Sequence, residues 1–239
     1  MGLTEKLMAK FIKRWLFLAL CFCFGLPVVA QEKEDHRLQE SHDVLREVLQ
    51  APDKGIPHDL LDKAKCVIVV PSMKKGAFIV GASYGRGVMV CRSGEAFTGA
   101  WGAPAMFALE GGSFGFQAGG EATDYVILVM NDKGARSVMS SKVKLGGEAS
   151  IAAGPVGRTS SAETDVVMNA EMLSWSRSKG VFGGVSLEGS TIRSDDEANK
   201  KLYGKNVNAK QIILQGEVTT PAAGRPLDQL LNKTSPKHA

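Results

Sequence analysis

The sequence predicts an α+β protein, a β-rich antiparallel sandwich or partial barrel with short helices at its N- and C-terminal ends. Two observations carry this prediction. From Cys66 onward the chain breaks into short apolar, β-branched runs divided by glycines: CVIVVP, GAFIVGASY, GVMVCR, AMFALE, SFGFQAGG and DYVILVMN, six candidate strands within sixty-five residues. Strands this short and closely spaced favour antiparallel pairing over strand–helix–strand units. On either side of this glycine-rich β core (66–193), the segments 32–65 and 194–215 carry helical spacing and helix-capping chemistry instead.

Residues 1–30 stand apart. Lys6, Lys10, Lys13 and Arg14 precede the apolar run WLFLALCFCFGLPVVA, after which QEKEDH turns abruptly polar. This is the pattern of a secretory signal peptide, with small residues placed for cleavage near Ala30. The run is short for a membrane span, and bulky Leu20 and Phe22 directly before Cys21 and Cys23 disfavour a lipoprotein. A periplasmic or secreted location is expected. Removing these residues, which hold four bases and Glu5, takes the formal net charge from +4 to +1. So balanced a chain lacks the basic excess of a nucleic-acid-binding domain, and no nucleic-acid partner is expected.

In Glu32–Gln50, Leu38, Leu45, Val48 and Leu49 form a narrow apolar stripe on a charged helix. It carries no aromatic, so packing on the domain is favoured over lying on a membrane surface. After the breaker APDKG, Pro57 opens a second short helix, PHDLLDKAK. Within the β core, Asn131 to Gly134 is turn chemistry, ARSVMSS reads as a helical turn and KLGGEASIAAG as a glycine-broken strand. The segments KKGAFIVGAS and SKGVFGGVSL share a texture that hints at two similar hairpins. Ser194 followed by Glu197 reads as a capping box opening DDEANKKLYG, with Gly204 as the stop, and NAKQIILQG supplies a further helix. Residues 218–239, with proline breaks and one helical turn around Leu227 to Leu231, read as a loosely ordered tail.

Catalytic motifs fail on context. GGSFG matches the nucleophile elbow with Ser113, but glycines rather than a helix follow it, and the one later histidine, His238, is next to last. His42 and Asp43 read as solvated polar-face residues, and Asp195, Asp196 and Glu197 as first-turn helix acids rather than a cation site. No catalytic residue, metal site or cofactor is expected. Cys66 and Cys91 are the cysteines left after cleavage. A disulfide between them is expected in an oxidising compartment, two free buried thiols being the alternative.

Four blocks, AKCVIVVPSMKKGAFIVGASYGRGVMVCR, GAPAMFALEGGSFGFQAGGEATDYVILVMN, SSKVKLGGEASIAAGPVGR and SRSKGVFGGVSLEGSTIRSDDEANKKLYG, resemble the SYLF-domain family in order, from about residue 40 to 217. The resemblance places a single SYLF-like domain at 31–217. It implies a non-catalytic module that binds phospholipid, phosphoinositides in eukaryotic members, with no cofactor. Actin binding, implied for some relatives, is not expected of an exported chain. The expected partners are an anionic phospholipid or membrane surface, or a protein of the envelope. Binding an anionic headgroup in a chain of net +1 needs bases gathered locally, and Lys74, Lys75, Arg86 and Arg92 beside the first strand turns, with Arg177 and Lys179 in the similar later segment, are the candidate lipid-binding residues.

Overall fold

The computed structural model describes residues 26–51, 55–77, 80–114, 121–140, 142–156, 169–178 and 181–236. The expected signal segment lies almost wholly outside them. Among them nine strands form one curled, mostly antiparallel sheet, a half-barrel. They are β1 (Cys66–Ala77), β2 (Val80–Cys91), β3 (Ala105–Phe114), β4 (Glu121–Val129), β5 (Val143–Lys144), β6 (Ile151–Ala153), β7 (Met172–Ser178), β8 (Val181–Gly184) and β9 (Thr191–Ser194). The order is β5-β9-β3-β2-β1-β4-β7-β6, with β8 also paired to β7, and only the β6–β7 pair is parallel. The two segments of similar texture are both antiparallel hairpins, β1–β2 and β7–β8.

The long apolar runs are explained by burial on both faces of this sheet. Val67, Val69, Val88, Val90, Val126 and Leu128 point to one side, where α1 (Leu26–Gln50), α2 (His58–Lys63), α4 (Asp196–Tyr203) and α6 (Arg225–Thr234) bring Leu38, Leu45, Leu61, Leu202, Leu227 and Leu231 against them. Ile68, Val70, Met89, Phe107 and Ile127 point the other way, onto α3 (Asp132–Ser140) and α5 (Ala209–Ile213). A strand covered on both faces loses the apolar–polar alternation of a half-exposed one. The stripe of α1 is spent on this packing, as its composition predicts.

β1 carries a bulge between Val70 and Met73, with Ser72 at φ 49°. Bulges bend a strand and re-aim its side chains. Opposite it, a Cβ on Gly87 would overlap the Val69 carbonyl, so glycine lets the two backbones close. Cys66 and Cys91 face each other in the β1–β2 register and are joined by a disulfide at 2.07 Å.

Two expectations are corrected. The cap of α4 is Asp195 rather than Ser194: the Asp195 carboxylate accepts from the Ala198 amide, while Ser194 bonds to Asp196 instead. Residues 218–236 are not a loose tail. A 3-10 turn (Ala222–Gly224) leads into α6, whose Leu227 and Leu231 are buried on the sheet. The prolines sit where helices begin, Pro221 before the 3-10 turn and Pro226 in the first turn of α6, positions that cost proline no hydrogen bond.

Candidate functional site

The six candidate bases fall into different surroundings. Lys74 lies near the outer end of β1, opposite Tyr84 on β2 and Ala122 on β4, and all three residues are exposed. Lys75 follows it opposite Ser83 and Glu121, its side chain not among those described. This end of the sheet is where β1 to β4 outrun the buried core, which stops near Met73, Gly85 and Thr123.

Arg86 and Arg177 flank that end but are already engaged. Arg86 is 2.8 Å from the Asp195 carboxylate and donates to the Tyr84 hydroxyl at 3.0 Å. Burial works against its charge, yet Asp195 and Tyr84 together hold its pKa above the ordinary arginine value. Arg177 bridges Asp124, at 2.7 Å, to Glu47 on α1. Asp124 in turn accepts from the Ser72 amide at the bulge. These arginines therefore tie the helices and the bulge to the sheet, with their charge largely matched.

Arg92 leaves the candidate surface altogether. It is 1% exposed. Its guanidinium donates to the carbonyls of Asp62, Ala64, Ser235 and Pro236 and to the Ser235 hydroxyl, and it lies 4.5 Å from the centre of the Trp101 ring. It is a structural residue, because the ends of α2 and α6 present unpaired carbonyls that need a donor. Lys179 lies outside the described residues.

Ser113 sits within β3 opposite Gly81, the strand context expected of it. His42 and Asp43 are 3.2 Å apart, but Asp43 is also held by Arg46 on the same helix. Among the described residues no group of three His, Cys, Asp or Glu could hold a metal ion, and no helix is long and apolar enough to cross a membrane. Sequence reasoning missed Tyr84, 45% exposed beside Lys74. Its signal was available in the alternation that puts Tyr84 and Arg86 on one face of β2.

Residues 110–234 match the family model described as Ysc84, Las17-binding protein actin regulator. Over 182 residues, 75% of its length, the chain is 37% identical to LAS seventeen-binding protein 3 of Saccharomyces cerevisiae, covering 39% of that protein. It is 39% identical over 181 residues to an SH3 domain-containing protein of Schizosaccharomyces pombe, covering 41% of it. To SH3 domain-containing YSC84-like protein 1 of Mus musculus it is 33% identical over 188 residues, 78% of the chain and 54% of that relative. The chain thus spans between about two fifths and just over half of these relatives.

Proposed function

Because the chain belongs to the Ysc84, or SYLF-domain, family, we propose that it is a non-catalytic binding module whose ligand is an anionic phospholipid surface, met at the outer end of the sheet. The observation that carries this reading is the exposure of Lys74, next in sequence to Lys75, on strand ends that project past the buried core. The arginines nearby are matched by acids, so the exposed Lys74 is the charge left to offer among the described side chains at this end. Each base near an anionic membrane surface contributes about 1 kcal/mol, and the exposed Tyr84 ring adds an amphipathic contact of the kind favoured at membrane interfaces. In this reading the module acts outside the cytoplasm after cleavage near Ala30, a proposal supported by the composition of residues 1–30.

A second reading, a protein partner, is favoured by the relatives: the budding-yeast protein is named for binding LAS seventeen. Co-sedimentation with vesicles separates the two. The chain is expected to sediment with phosphatidylglycerol vesicles and not with phosphatidylcholine vesicles, and added salt weakens the association. Lys74→Glu with Lys75→Glu lowers it about thirtyfold or more by the loss and reversal of two charges, whereas Lys200→Glu with Lys201→Glu on α4 has little effect. Failure to sediment with either vesicle type removes the lipid reading and leaves the protein partner.

A further inference from the structure

A cleft of about 450 Å³ opens beside β9. Three elements meet there: the end of α3 with the residues after it, strand β9, and the start of α5. Its walls bring together Lys142, Arg193 and Lys210, with Ser140, Asp196 and Asn208. Two acids stand against these three bases. Asp196, in the wall itself, accepts from the neutral Ser194 hydroxyl at 2.6 Å. Behind the cleft Glu110 accepts from Arg193 at 2.9 Å and from Lys142 at 3.2 Å. Burial opposes the charge on Glu110, but these two cations hold its pKa below the usual carboxylate value, so Glu110 stays ionised and positions both of them.

Lys142 remains 61% exposed while paired to Glu110, so its ammonium can turn on its flexible stem toward a ligand. Lys210 is exposed on the α5 wall, and Asn208, whose side-chain oxygen is spent on capping α5, keeps its amide group as a donor. These donors stand on three separate elements. A planar carboxylate presents two oxygens in one plane, whereas a phosphate monoester presents three arranged in space and carries about −1.5 to −2 at neutral pH. The volume falls in the range of small-molecule sites.

We propose that this cleft is a binding site for a phosphate monoester dianion taken from solution, held by Lys142, Arg193 and Lys210. Lys74 and Lys75 are not among the residues that line it, and the proposal does not rest on the lipid reading. Isothermal titration of the full chain with glycerol 3-phosphate, and in parallel with inorganic phosphate, tests it. Saturable binding is expected, weakened about tenfold or more in Lys142→Ala and in Lys210→Ala, each of which removes a charge-assisted hydrogen bond. Both are exposed lysines, so an unchanged melting temperature shows that the fold is retained. Lys74→Glu with Lys75→Glu leaves phosphate binding intact, which separates this site from the membrane-facing one. The proposal is overturned by an absence of saturable binding, by binding that survives both alanine substitutions, or by association only with phosphatidate vesicles and not with glycerol 3-phosphate.

Discussion

At Arg92 one guanidinium caps two helices at once. Asp62 and Ala64 belong to the end of α2, Ser235 and Pro236 to the end of α6, and all four carbonyls accept from it. Removing a buried donor leaves such acceptors without water, which costs more than the hydrogen bonds were worth. Arg92→Met keeps much of the volume and removes the donors. It is expected to lower stability by about 3 kcal/mol or more in urea titration; an unchanged midpoint would contradict the structural role. Nothing local in the sequence distinguishes Arg92 from Lys74, since both are bases beside strand turns. What separates them is a partner 143 residues away in the chain. Arg86 and Arg177 were likewise illegible, because Asp195 and Asp124 reach them only once the sheet is built. The disulfide was the easier inference, Cys66 and Cys91 being the two cysteines outside the apolar N-terminal run.

Among the elements, α6 was the hardest to read. Prolines and a glycine lead into it, and an isolated Leu227–Leu231 pair does not announce a helix. Its tether to the rest of the fold includes Asp228, which accepts from Thr220 at 2.8 Å. Burial pushes the Asp228 carboxyl up to about 6, against the smaller pull of that hydrogen bond. A carboxyl whose folded value lies above its unfolded one, about 3.9, favours the fold while protonated, so its contribution is lost as pH rises from about 4 through about 6. Asp228→Asn is neutral throughout and can still accept from Thr220. Its melting temperature is therefore expected to rise relative to the wild type between about pH 4 and pH 6.5 and to hold a constant lead above that. A constant difference between those two pH values would show that Asp228 does not titrate there. By contrast α1 and α5 were legible, since a stripe of leucines and an Asn208–Gln211 capping box are local signals.

For the molecule as a whole, the β core was plain from its apolar runs, but the layering was not. Runs such as CVIVV and YVILV announce strands covered on both faces, but not which segments cover them. The deciding residues are those of the helices, which cross long sequence distances to reach the sheet. Leu227 and Leu231 are among them, and a chain ended after Glu217 is expected to keep strand content by far-ultraviolet circular dichroism while losing the near-ultraviolet signal of buried Trp101, whose indole donates to the Ser235 carbonyl. Retention of both signals would mean that α6 is dispensable. The cap at Arg92 also bears on the order of folding. All nine described strands precede α6 in the chain, so until α6 docks, Arg92 and the end of α2 wait without their last partner, and the incomplete fold stays open to chaperones and proteases.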